Sequence, residues 1–105
     1  MIQFLLDRNV NQILEDFEDV REVEGDYCLE DDEELIAFRM CVNRKFWDDE
    51  LLVDYHFRVK RNGQWLEKCG FGSVRKIEEY DEEPWMISED LIYWGPIAYF
   101  ARKCA

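Results

Sequence analysis

Along residues 10–20 the apolar side chains Val10, Ile13, Leu14, Phe17 and Val20 recur at helical spacing, and Glu15, Asp16, Glu18 and Asp19 occupy the other faces. The pattern predicts an amphipathic helix with an acidic outer surface. Asn9 suits its N-cap, Gln12 three residues later suits a capping box, and Arg21 places positive charge at the end where the helix dipole favours it. Gly25 ends the pattern.

The periodicity then changes from helical to alternating. Glu30-Asp31-Asp32-Glu33-Glu34 cannot bury its charges and predicts a solvated turn leading into residues 35–42, where Ile36, Phe38, Met40 and Val42 form one strand face. A second acidic turn, Asp48-Asp49-Glu50, follows. Leu51, Val53, Tyr55, Phe57 and Val59 then alternate with Leu52, Asp54, His56, Arg58 and Lys60, predicting a strand with one buried and one mostly polar face. His56 lies on the polar side. Asn62-Gly63 tolerates positive φ at both residues and predicts a two-residue hairpin that folds residues 64–68 back on that strand. Gly70 and Gly72 bracket a bend, residues 73–77 add a strand, residues 78–84 form a third acidic loop stopped by Pro84, and residues 97–101 make the last strand. No repeat or linker divides the chain. The expected fold is α+β: one compact domain over residues 1–105, a single antiparallel sheet of four or five strands with the N-terminal helix on one face.

Composition adds a constraint on function. Twenty-five Asp and Glu against thirteen Lys and Arg give a net charge of −12. At 48% hydrophobic and 15% aromatic, the chain of 105 residues has enough apolar material for its own core, so the charge belongs to a packed domain and not to a disordered tail. The first residues carry too short an apolar run for a signal peptide, no basic segment precedes it, and no stretch of about 18 apolar residues occurs, which implies a cytoplasmic protein. Cys28, Cys41, Cys69 and Cys104 are scattered without a Cys-x-x-Cys pair, the pattern of reduced thiols and not of a zinc site. The acidic runs lack the central Gly and terminal Glu of an EF-hand, and Gly70-Phe71-Gly72 lacks the rest of a phosphate-binding loop. No metal or cofactor is expected.

His56 is the only side chain whose ordinary pKa suits proton transfer near neutrality, and Asp54 shares its strand face. Asp54-Tyr55-His56-Phe57-Arg58, Gly63-Gln64-Trp65, Lys68-Cys69-Gly70, Val74 and Gly95-Pro96-Ile97-Ala98-Tyr99-Phe100 resemble the C-terminal half of a group of bacterial papain-like domains. Those domains carry a His-aromatic strand, a hairpin ending in Gly-x-Trp, a His-Lys-x-Gly segment and a closing Gly-Tyr-Phe-like strand. The resemblance implies a related sheet, and on the alternative reading of a Cys/His hydrolase His56 would be the catalytic residue. In that pattern the nucleophilic Cys precedes the His and opens a helix, whose dipole lowers the thiol pKa. Here the early helix has no cysteine, Cys28 and Cys41 fall after it, and Glu67 stands where the second His belongs. The resemblance therefore implies a hydrolase scaffold without its nucleophile segment.

Without a complete catalytic motif, the carboxylates become the candidate site. Glu15, Asp16, Glu18 and Asp19 on the helix, Asp31, Asp32, Glu33 and Glu34 in the first turn, Asp48, Asp49 and Glu50 in the second, and Glu79, Asp81, Glu82 and Glu83 in the third are the expected partner-binding residues. Trp47 and Trp85 each adjoin an acidic loop, as an interface anchor inside a charged rim does, whereas Trp65 and Trp94 are assigned to the core. Duplex DNA carries a charge about every 1.7 Å along its axis, so a basic groove built for phosphates would accept such a surface. The expected function is a small acidic inhibitor of a basic nucleic-acid-binding host protein, of the kind that phages and mobile elements encode, such as anti-CRISPR proteins. It would not itself bind nucleic acid or membrane. The alternatives are the hydrolase or its inactive remnant, an immunity or interaction module for a basic toxin, and a surface that serves solubility alone.

Overall fold

The computed structural model describes residues 2–43, 52–68, 74–88 and 91–104. They form helix α1 (Ile2–Asp16) and strands β1 (Val20–Val23), β2 (Glu33–Asn43), β3 (Leu52–Arg61), β4 (Gln64–Lys68), β5 (Val74–Ile77), β6 (Trp85–Ser88), β7 (Leu91–Tyr93) and β8 (Ile97–Lys103). Six strands make one sheet in the order β1-β8-β2-β3-β4-β5, antiparallel throughout, and β6 pairs with β7 in a separate ladder. The α+β class agrees with the sequence reading, and the sheet has more strands than the four or five it gave. The extra member of the sheet is β1, and the β6–β7 pair lies outside it. β1 is short and places Glu22 among its few residues, and no alternating apolar face marks it.

The helix begins earlier than its strongest periodicity suggests. Leu6 lies one turn before Val10, and these two buried residues pack with Phe38 and Met40 of β2 and Ala98 and Phe100 of β8. Asn9 is consequently an interior residue and not the N-cap: its Nδ2 donates to Leu5 O at 2.8 Å. Gln12 donates to Asp16 Oδ1 at 3.0 Å instead of closing a capping box. Phe17 N donates to Ile13 O at 3.1 Å to finish the last turn, after which Val20 and Arg21 enter β1. No helix among the described residues is long and apolar enough to cross a membrane.

β2 is buried on both faces because it is central and both sides of the sheet are covered. The helix covers Phe38 and Met40, while Trp85 of β6 and Tyr93 of β7 cover Leu35, Ala37 and Cys41, with Tyr99 of the neighbouring β8 in the same cluster. The same arrangement inverts β3 relative to expectation. Tyr55 and Phe57, on the apolar face, are 55% and 39% exposed, whereas His56 and Arg58, on the polar face, are each 9% exposed. The register sets Phe57 opposite Phe38 and His56 opposite Arg39. Thus α1 packs over the β8–β2 half and leaves the aromatic face of β3 partly open, while Trp85 and Tyr93 close over His56.

The Asn62-Gly63 hairpin forms as read, with φ of +52° and +75° and Arg61 paired to Gln64. Residues 74–77 and 97–103 are strands, the latter between β1 and β2 and not at an edge. The turn at Asp48, Asp49 and Glu50, Trp47, and the bend at Gly70 and Gly72 lie outside the described residues.

Candidate functional site

Among the described residues two arrangements carry charge or chemistry: a largely buried polar cluster beneath β6–β7, and an open groove beside β1. In the cluster, Glu67 is the hub. Its carboxylate accepts from Arg58 Nε at 2.5 Å and from Arg75 Nε at 2.8 Å, and its side chain is fully buried. Burial alone would raise its pKa, but the two guanidinium hydrogen bonds overcome that and hold it at about 2. His56 Nε2 is 3.1 Å from Glu67 Oε2 without a well-aligned hydrogen bond. The imidazole stacks on Tyr93 at 5.1 Å and meets Trp85 edge-on at 6.2 Å. Burial lowers the His56 pKa, and the attraction of Glu67 does not reverse this, so the ring is neutral at pH 7. Arg58 lies 4.4 Å from the Trp85 ring, and Tyr93 OH donates to Asp54 Oδ2 at 2.8 Å.

Cys41, opposite Asp54 in the β2–β3 register, is not prepared as a nucleophile. Burial, followed by the nearby charge of Asp54, raises the Cys41 thiol pKa, the opposite of what a thiolate needs. Cys28, Cys41 and Cys104 are free thiols, and Cys69 lies outside the described residues. Among the described residues no group of three or more His, Cys, Asp and Glu side chains is placed to hold a metal ion.

The groove is built by two loops that the sheet pins in place. Buried Arg39 donates from Nε to Gly95 O at 2.6 Å and from Nη1 to Glu83 O at 2.8 Å, and Trp85 Nε1 donates to Asp81 O at 3.3 Å. The last two of these bonds tie the backbone of residues 81–83 to the centre of the molecule. Tyr80 stacks on Trp65 at 3.8 Å, and its hydroxyl shares a 2.7 Å hydrogen bond with that of Tyr99, which also donates to Glu82 Oε2 at 2.8 Å. Burial is the main cause that raises both phenol pKa values, so they remain neutral donors. On the other side Tyr27 N donates to Glu24 O at 3.1 Å, closing a turn whose Gly25 lies against the Tyr99 ring: a Cβ there would stand 2.8 Å from Cε2. Glycine is required for that approach. Between the loops lies an open groove of about 1130 Å³, lined by Glu22, Glu24, Asp26, Asp81 and Glu82 with Tyr99 among its walls. Glu22, Glu24, Asp26 and Asp81 have no ion-pair partner among the described residues.

The sequence-predicted acidic residues divide accordingly. Asp81 and Glu82 line the groove, and Glu79 and Glu83 are exposed beside it. Glu15, Asp16, Glu18, Asp19, Asp31 and Asp32 are exposed elsewhere, Asp32 lying 3.8 Å from Lys103 Nζ. Glu33 and Glu34 are not solvated: as part of β2 they are 4% and 5% exposed. Arg21, Tyr27 and the Glu30 amide satisfy Glu33, and Arg61 and Arg102 flank Glu34, so neither is offered to a partner. Trp85 is 1% exposed and packs in the core, which removes it as a surface anchor, while Trp94, assigned to the core, is 49% exposed. Trp47, Asp48, Asp49 and Glu50 lie outside the described residues. Glu22, Glu24 and Asp26 were missed as site residues. Their signal was the alternation Glu22-Val23-Glu24-Gly25-Asp26, a run with a glycine turn that no count of consecutive acids picks out.

Comparison with family models, curated proteins and solved structures gives no match.

Proposed function

We propose that this protein binds a basic partner surface through the carboxylate groove between the Gly25 turn and the 80–82 loop. The carrying observation is the convergence there of Glu22, Glu24, Asp26, Asp81 and Glu82 from two separate segments around one groove. A carboxylate set too spread for a metal ion suits several cationic side chains instead. Its uncompensated charge also speeds encounter with a cationic surface. A nucleic-acid-handling protein, whose phosphate-binding face is rich in Lys and Arg, is the partner class that this chemistry favours, and occupation of that face would inhibit it.

The test uses the intact chain and an E22Q/E24Q/D26N variant, which takes the net charge from −12 to −9 by removing three carboxylates. Each is immobilised and exposed to nuclease-treated lysate, with washes at low and high salt and elution by added DNA. Wild type should retain nucleic-acid-binding proteins that salt and DNA release, and the variant should lose them. Equal retention by both overturns the proposal.

A further inference from the structure

We infer that the partner enters the groove as an extended cationic segment that adds a short strand to the open edge of β8. This rests on the reading above that the groove takes a basic partner. The edge is visible in the pairing. β2 follows β8 as far as Phe38↔Ala98 and Arg39↔Ile97, whereas β1 stops at Val23↔Tyr99. There the Gly25 turn leads the chain away, and Ile97 and Ala98 line the groove with a strand neighbour on the β2 side alone among the described residues.

Within an antiparallel sheet the N–H and C=O of one residue point to the same neighbour, and successive residues alternate. One of Ile97 and Ala98 therefore directs both groups into the groove. A strand placed about 4.8 Å from β8, in line with β1, would satisfy them, as strand addition does at other exposed edges. Its side chains would run between Glu24 and Asp26 on one wall and Asp81 and Glu82 on the other, which selects Lys or Arg at alternating positions. The alternatives fit less well. Nucleic acid would meet like charge, and the groove is open and lined by carboxylates, whereas small-molecule pockets are mostly enclosed and apolar.

The experiment titrates the isotope-labelled intact protein with a peptide of alternating Lys and Val at low salt, following backbone amides by NMR. Two analogues carry backbone N-methyl groups, one on every Lys and the other on every Val. The unmodified peptide should shift the Ile97 and Ala98 amides and slow exchange of the one that faces the groove. One analogue should lose about tenfold in affinity or more, because its methyl groups remove the donor to the groove-facing carbonyl of β8 and clash with the strand edge, and the other should bind nearly as well. Equal affinity of all three peptides would overturn strand addition and leave the charge reading intact. Failure of the unmodified peptide to bind would overturn strand addition as well. Unchanged affinity on the E22Q/E24Q/D26N variant would instead count against the charge reading, whatever the N-methyl series shows.

Discussion

Replacing Glu67 by Gln tests the strongest electrostatic claim, that one fully buried carboxylate holds β3, β4 and β5 together. Gln keeps the shape and removes the charge that Arg58 and Arg75 share. A carboxyl held at about 2 instead of its ordinary 4.5 contributes about 3 kcal/mol at neutral pH. The Arg58 side chain, itself only 11% exposed, would be left without its partner, and breaking a buried pair that way costs about 3–5 kcal/mol. The two routes agree, and for a chain of this size imply a fall in Tm of roughly 10–20 °C.

The sign of the pH dependence follows. Because the folded carboxyl is the more acidic, its stabilisation is complete above pH 4.5 and is lost as the pH falls toward 2. His56 adds a separate loss below 6.5, since burial depresses its pKa and the unfolded chain takes up the proton first. Comparing H56Q with H56Q/E67Q removes that contribution. The assay is urea unfolding followed by tryptophan fluorescence. The gap should be about 3 kcal/mol from pH 7 to about 5 and should close toward pH 2. A cost below about 1 kcal/mol at pH 7, or a gap unchanged at pH 3, would refute the reasoning.

Three further outcomes follow from local geometry. Gly63→Ala should destabilise by about 1 kcal/mol in the same assay, because φ is +75° while the space for a Cβ is empty, leaving the backbone as the whole cost. Trp85→Ala should cost about 3–5 kcal/mol by calorimetry, whereas Phe57→Ala, at a position 39% exposed, should cost about 1 kcal/mol or less. A maleimide at neutral pH, read by mass spectrometry, should label exposed Cys28 in the folded protein and reach Cys41 only on unfolding.

How far the sequence carried depended on how local each determinant was. The hairpin needed only Asn62-Gly63, and the alternation of Phe38 and Met40 marked β2, so both were legible. Alternation on β3 located the strand and misassigned its faces, because which face is buried depends on where α1 and the β6–β7 pair land. Glu33 and Glu34 read as solvent-exposed because their partners, Arg21, Arg61 and Arg102, come from β1, β3 and β8. The groove had the same difficulty. Asp81 and Glu82 stood out as part of an acidic run, but Glu22, Glu24 and Asp26 join them only through the β1–β8 register and the approach of Gly25 to Tyr99.

That long-range pairing also changes what the net charge means. A chain at −12 could present a diffuse negative field, but several of its described arginines are committed to buried groups. Arg58 and Arg75 converge on Glu67, Arg61 and Arg102 flank Glu34, Arg21 meets Glu33, and Arg39 is buried against the Gly95 and Glu83 carbonyls. Each buried carboxylate draws basic residues to itself, because an unpaired one would be costly to desolvate. The charge left uncompensated then belongs to the helix surface, loops and sheet edges. Arg39 illustrates the link, since the carbonyl it binds belongs to Glu83, and the same contact that solvates a buried guanidinium also fixes the loop carrying Asp81 and Glu82. Interior ion pairing and the exposed carboxylate groove are therefore two consequences of one distribution of charge, and an approaching cation meets the groove's local field more than the average of the chain.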